Sequence, residues 1–385
     1  MLKLFRNRKF REVLFQALTV SVVAVAVVAM VINTRANLEA QSLTTGFNFL
    51  DRSTGWDFSF SVLPYTISDT YSRTLLIGFL NTLLLGFLGI SLATVVGVII
   101  GLIRTSKNYL LSLLGTIYVE IFRNLPLILQ AIFWYSVLSN LPRPRQAFTL
   151  GDTFFLSGRG LYFPVLNIEI IAVFAMVAIT IGWLIALPWL RKRMNYSLAF
   201  DRVKTLGWLV LPVILIGLGW LARIPGTPLV DVPSLQGLNF RGGMRMPPEL
   251  SALVVAIALY GGAYIGEVMR AGLMSVPRGQ IEAGFVNGLS HFHIFWHIRL
   301  PLAIRLILPS LTNQYVQLMK ATTIGIVVGF SDFFMIISTS INQSGQTLEL
   351  LALLMGGFLI INLSIAYVMN GINRKIAIKG YEVKN

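Results

Sequence analysis

Five ionisable side chains stand where the sequence is otherwise apolar: Glu120, Arg123, Glu267, Arg270 and Lys320. Charge inside a membrane helix is costly, so such residues are functional candidates by default. Glu120 with Arg123, and Glu267 with Arg270, are spaced by three, which puts each pair on one helical face. Either pair can line a polar path for the charged groups of a substrate, or lock helices as an internal ion pair that can also snorkel to the interface. Arg270, near a helix end, fits the second role. Lys320 lies too deep in its apolar run to reach the inner surface. With Thr322 and Thr323 it offers an ammonium and two hydroxyls to a carboxylate.

A second group of residues is polar and sits between two long apolar runs. It begins Gly279-Gln280-Ile281-Glu282-Ala283-Gly284, continues through Gly288, and closes on Ile298-Arg299-Leu300-Pro301. Glu282, Ala283 and Gly284 read as the start of a short helix whose small-residue face can approach another surface closely. Gly288 supplies a permissive backbone for a turn. Leu300-Pro301 is expected to stop the following segment and open the next helix. All three histidines, His291, His293 and His297, fall here. His293 and His297 have the spacing of two helical metal ligands, but no cysteine and no suitable acidic third ligand accompanies them. They read as part of a docking or interfacial surface, and no metal site is expected.

Other chemistries are excluded or weak. No G-x-x-x-x-G-K-[ST] phosphate cradle occurs, so this chain has no Walker A motif. With no cysteine there is no disulfide, thiolate zinc site or cysteine nucleophile. Gly217-Leu-Gly219-Trp-Leu-Ala222 matches a dinucleotide pattern, yet it lies within an apolar helix with no preceding strand, so helix packing explains it better.

The elements that must position these groups are membrane helices. The 385-residue chain is 55% hydrophobic and 12% charged, with mean hydropathy +0.74, whereas soluble proteins carry about 25% charged residues. Apolar runs of about 20 residues match a bilayer core. Eight are expected, near 13–32, 74–103, 109–138 (interrupted at Pro126), 168–190, 206–221, 249–274, 302–328 and 350–369. The first follows Lys3, Arg6, Arg8, Lys9 and Arg11 and is too long for a signal-peptide core. Eight crossings place both termini on one side. Twenty Lys/Arg fall in the segments assigned inside and nine in those assigned outside, which makes the termini and the 279–301 loop cytoplasmic. The net charge of +15 is therefore a topology signal, and nucleic acid is not an expected partner.

The spacing E-A-(small)-x3-G-x9-I-x-L-P, complete from Glu282 to Pro301, resembles the EAA loop of bacterial ABC-importer permeases. From Tyr264 to Thr323 the chain resembles their polar amino-acid (HisMQ-like) class, with Glu267, Arg270, Pro301, Arg305, Pro309, Asn313 and Lys320-Ala321-Thr322-Thr323 in the family's order. Tyr118-Val-Glu120-Ile-Phe-Arg123-Asn-Leu-Pro126 resembles the family's helix after its first cytoplasmic loop. An added first helix and an inserted helix pair resemble the longer permeases of the Aap/Bzt general amino-acid transporters. Two departures stand out: Gly284 replaces the alanine usual at the third EAA position, and Lys-Ala-Thr-Thr replaces Lys-Asp/Asn-Thr-Ser.

The resemblance implies an all-α, type I ABC-importer permease in the bacterial inner membrane. Its organisation would be an extra helix and periplasmic loop at 1–73, core at 74–139, an inserted helix pair with periplasmic loops at 140–248, core at 249–374, and a cytoplasmic tail at 375–385. It implies an ATPase dimer docked through Gly279, Gln280, Glu282, Ala283, Gly284, Gly288, Leu300 and Pro301. It also implies a second, homologous permease subunit and a periplasmic substrate-binding protein. The substrate would be an amino acid, its path touching Glu120, Arg123, Glu267, Lys320, Thr322 and Thr323. The chain would bind no cofactor and do no catalysis; ATP and Mg would be used by the partner. Two other readings stay open from the residues alone: an ion-gradient-driven secondary transporter, which commonly shows inverted repeats that are not found here, and an accessory membrane scaffold.

Overall fold

The computed structural model describes residues 8–40, 46–194 and 198–376. The expected first-helix charges Lys3 and Arg6, and most of the expected tail, lie outside these residues. Helices occupy all eight expected runs: α1 (Arg8–Ala40), α2 (Tyr71–Arg104), α3 (Tyr109–Asn124) with α4 (Leu127–Ser139), α5 (Ile170–Arg193), α6 (Leu198–Leu221), α7 (Pro248–Met274), and, after a short helix α8 (Arg278–Val286) and a single turn α9 (His291–Ile294), α10 (Leu300–Ala321). A further helix, α11 (Phe333–Ser344), precedes α12 (Thr347–Ile376) and was not foreseen in the sequence. By length and composition, five helical stretches among the described residues can cross a membrane: Tyr71–Arg104, Phe200–Leu221, Pro248–Met274, His291–Val328 and Thr347–Ile376. The α3–α4 pair makes a sixth if taken as one span, bent by 101° at Leu125-Pro126, because proline breaks the helical hydrogen-bond ladder.

Contacts divide the chain into two compact units, residues 1–129 with 256–385, and residues 130–255. In the first, α2 packs on α7 through glycines. A methyl group added at Gly89 would come 2.8 Å from Ile257, at Gly97 2.5 Å from Ile265, and at Gly101 2.6 Å from Met269. Each partner lies the same number of residues further along the chain, so the two helices run in the same direction. Gly262 on Val96 and Gly266 on Ile100 return the arrangement from the other side. Between α7 and α10, Gly261 meets Leu318 and Gly272 meets Ile307; one index rises as the other falls, so α10 runs back. Small residues let membrane helices approach closely where apolar burial gives no drive.

At the N-terminal end of α2 a buried polar knot ties three segments together. Asn81, fully buried, donates to Phe60 O (3.0 Å) and Ser331 O (2.7 Å) and accepts from Val62 N (3.1 Å). Thr82 accepts from Phe333 N at 2.8 Å. Ser331 Oγ accepts from Phe60 N. Asp332 caps α11 by accepting from Met335 N at 2.8 Å, while its other carboxyl oxygen takes no hydrogen bond from the protein.

The chain is mostly helical, as expected, and the second unit adds short strands in its two Gly/Pro-rich loops. β1 (Phe148–Leu150), β2 (Phe154–Ser157) and β3 (Gly160–Phe163) make an antiparallel meander. β4 (Val165–Leu166) pairs with β5 (Val230–Asp231), and β6 (Ser234–Gln236) with β7 (Asn239–Arg241). β8 (Met244–Met246) joins β3 in the register Leu161↔Met246 and Phe163↔Met244. The two loops flanking the inserted helices are thus sewn to each other around Phe155, Tyr162 and Phe240, whose rings touch at 4.4–4.9 Å. Such short strands have too few residues for a period-two pattern, and their partners are remote in sequence, so local reading sees only loop.

Two outcomes test this packing. Gly97→Val forces overpacking against Ile265 and is expected to cost about 1–3 kcal/mol, seen as a lower unfolding temperature in detergent; Gly356→Ala, at an open position within α12, does not lower it, since alanine is the better helix former. Burial raises the Asp332 pKa to about 7. The folded chain then holds a proton that the unfolded chain releases between about pH 4 and pH 7, so stability falls as pH rises through that window. Asp332→Asn keeps the cap and removes the titration. Its unfolding temperature is expected to match the parent at acid pH and exceed it above pH 7.

Candidate functional site

The loop after α7 is a self-supported structure. α8 begins at Arg278, so Glu282, Ala283 and Gly284 sit in its middle rather than at its start. Gly284 is buried, and a methyl there would meet Ile294 and Ile298 at 3.0 Å. Its smallness is therefore spent on the chain's own helix, not on an external surface, which corrects the first reading of that face. The chain reverses at Gly288, whose φ of +74° is a backbone region open to glycine and strained for most residues. Leu289 N closes the turn on Gly284 O at 3.1 Å, and the Ser290 side chain caps α9, accepting from His293 N. His293 and His297 stack at 5.7 Å, and among the described residues no cluster suited to a metal ion exists.

Pro301 does not stop a helix. A π turn, Phe295–Arg299, joins α9 to α10, and the chain stays helical from His291 to Val328. Proline at residue 301 has no N–H for the carbonyl four residues back; a wider turn just before it absorbs that loss, and such bulges often mark functional positions. Underneath, Ile281, Phe295 and Leu300 pack on Met269, Leu273, Val276, Ala303 and Ile307. Arg299 Nε donates to Leu273 O at 3.1 Å, satisfying a carbonyl in the last turn of α7. Gly279, Gln280, Glu282 and Ala283 remain exposed. So do large apolar side chains: Val286 is 88% exposed, Phe292 66% and Trp296 50%.

The membrane charges do not converge. Glu120 is exposed and accepts from Asn124 Nδ2 at 3.2 Å. Arg123 places its guanidinium 4.9 Å from the centre of the Tyr264 ring, a cation–π contact between α3 and α7. Glu267 is held by two arginines, Arg104 at the end of α2 and Arg270 on its own helix, the latter at 2.5 Å. Thr322 and Thr323 donate back to Met319 O and Lys320 O. The Lys320 side chain is exposed and has no hydrogen bond or ion pair among the described residues. Arg104 is a residue the sequence does not single out; its three-residue cluster with Glu267 and Arg270 spans two helices remote in sequence. Asn81 and Asp332 were also missed. Asn81 did carry a signal, as a lone amide in an apolar run.

A bundle of glycine-packed membrane helices, with an exposed helical loop between two of them, defines a polytopic membrane protein. Residues 245–378 match the family described as "Binding-protein-dependent transport system inner membrane component". Over 378 residues the chain is 41% identical to the putative amino-acid ABC transporter permease protein YhdX of Escherichia coli (strain K12), covering 97% of this chain and 96% of that one. It is 36% identical to the general L-amino acid transport system permease protein AapQ of Rhizobium johnstonii, covering 96% and 93%. It is 29% identical to the glutamate/glutamine/aspartate/asparagine transport system permease protein BztB of Rhodobacter capsulatus, covering 98% and 96%. The chain belongs to the ABC transporter permease family.

Glu267→Gln would leave Arg104 and Arg270 sharing a neutral amide. The expected loss is roughly 1–3 kcal/mol, measured as thermal stability in detergent, with Arg104→Gln losing a similar amount and the double variant less than the two together.

Proposed function

We infer that this chain is the transmembrane permease subunit of an ATP-driven importer for amino acids in the bacterial inner membrane. The observation that carries the coupling mechanism is the unbroken helical path from the exposed loop into the membrane. α8 and α9 are welded by Gly284, and α9 continues through the π turn into α10 and on to Val328. A push on Glu282 or Phe292 is therefore passed along one helical path to the Lys320–Thr323 region, with the π turn, Pro309 and the 3-10 stretch from Thr322 as the places where that path can bend. Solvent-exposed Val286, Phe292 and Trp296 beside Glu282 suit a partner surface, since clustered exposed apolar groups mark docking sites.

The partner in this reading is an ATPase dimer, which binds ATP and Mg; this chain holds no cofactor. A substrate-binding protein delivers the amino acid from the outer side, and a second, homologous permease subunit completes the path. Glu120, Arg123, Glu267, Lys320, Thr322 and Thr323 are the polar groups available along the path. Lys320, exposed and unpaired among the described residues, is the best placed to meet a substrate carboxylate. ATP binding moves the helical loop and favours one orientation of the helices; substrate shifts that equilibrium only by its differential affinity for the two states.

The test reconstitutes the subunit with its ATPase and measures uptake and hydrolysis together. Gly288→Val strains the left-handed turn by about 1–2 kcal/mol and is expected to leave membrane insertion intact while hydrolysis no longer drives uptake. Gly288→Asn, which tolerates this backbone, retains coupling. Normal uptake by Gly288→Val sinks the lever, and uptake without any ATPase sinks the importer reading.

A further inference from the structure

We propose that an arginine-lined cleft in the inserted unit is the docking surface for an acidic face of the substrate-binding protein. The inference rests on the importer reading above, in which residues 140–168 and 222–248 face outward. The cleft has a volume of about 880 Å³ and is lined by Arg143, Arg145 and Arg159, with Leu141 and Leu238 among its apolar walls and no acidic side chain. The side chains of Arg143 and Arg159 have no ion pair or hydrogen bond among the described residues. That of Arg145 reaches only Gly237 O, at 3.4 Å. Three guanidiniums thus share one cleft with their charge uncompensated. The walls are already built: Gly158 N donates to Pro142 O at 2.9 Å and Arg245 Nε to Arg159 O at 2.9 Å. Binding there needs little ordering of the backbone.

Two features select a protein partner. The cleft is open and half apolar, and Leu238 is 68% exposed at its edge. A small solute is held instead in an enclosed pocket that covers most of its surface, and a lone phosphate headgroup would leave most of 880 Å³ unfilled. Arginine beside exposed apolar groups is the composition of protein interfaces, from which lysine is depleted. The second feature is in the sequence. All nine basic residues assigned to the outer side are arginine, at positions 35, 52, 73, 143, 145, 159, 223, 241 and 245. Basic residues oppose that topology, and the planar arginine fork suits carboxylates as lysine does not. Their presence outside therefore answers a need other than orientation.

The experiment uses the complete transporter in nanodiscs of phosphatidylcholine alone. ATP hydrolysis is titrated with the purified binding protein that supports uptake in the same system. Combined Arg143→Glu, Arg145→Glu and Arg159→Glu should raise the half-stimulating concentration about tenfold or more, with the basal and saturated rates kept. Added salt should weaken the parent and not the variant. The matching triple change to lysine should keep most of the salt-sensitive attraction, and Arg143→Glu alone provides the readout if the triple variant folds poorly. An unchanged half-point in a parent that responds to the binding protein overturns the docking surface and leaves the importer reading standing. A difference that emerges only when phosphatidylglycerol is added assigns the cleft to a lipid headgroup and also overturns it. A parent that no binding protein stimulates overturns both.

Discussion

The contact between α2 and α7 is made of glycine backbone against branched side chains: Gly89 on Ile257, Gly97 on Ile265, Gly101 on Met269. In lipid there is no hydrophobic gain from pressing two apolar helices together, so dispersion and close fit must hold them. The glycines bring the helices near enough for that, and the repetition of the contact locks their direction and register. Everything else in the first unit follows. α7 ends beside the end of α2, where Arg104 meets Glu267, and the loop after Met274 emerges at that end. α10 then has to run back along α7, which Gly261 and Gly272 permit.

The loop itself joins a rigid interior to an exposed face. Its apolar underside continues the packing of α7 on α10 through Ile281, Phe295 and Leu300, while Val286, Phe292 and Trp296 are left in solvent. Such a surface is costly unless a partner covers it, and the family to which the chain belongs works in multi-subunit transporters. The π turn ahead of Pro301 matters because it converts a proline that would end a helix into a continuous shaft. Coupling over such a distance needs contiguous elements between the two sites, and the helical segment from His291 to Val328 is continuous over that stretch.

The inserted unit follows a different rule. Its helices α5 and α6 are flanked by loops whose strands pair with each other, β3 with β8 and β4 with β5, and whose aromatic side chains form a small core of their own. It is a structured head rather than a pair of slack connections. That gives its arginines fixed positions.

Much was legible before any coordinates. Length and position of the apolar runs marked where helices form, because a bilayer core demands about 20 apolar residues and a helix satisfies their backbone within the segment. Among the described residues five helical stretches, or six with the bent pair, meet the length and composition of a span. The turn between α8 and α9 was legible at Gly288, since a positive φ is a local need written as a residue type. What the sequence could not decide was pairing. Glu267 faced two plausible fates, and only the approach of α2 to α7 placed Arg104 against it. Lys320 and Glu120 were both conspicuous, yet they lie on separate helices that no local pattern could bring together or keep apart. Gly284 was read as an outward face because its true neighbours, Ile294 and Ile298, arrive only after the chain has turned. Backbone hydrogen bonding in a helix is local, so sequence determines it; contact between elements depends on which surfaces fit closest, and that was decided by the tertiary structure alone.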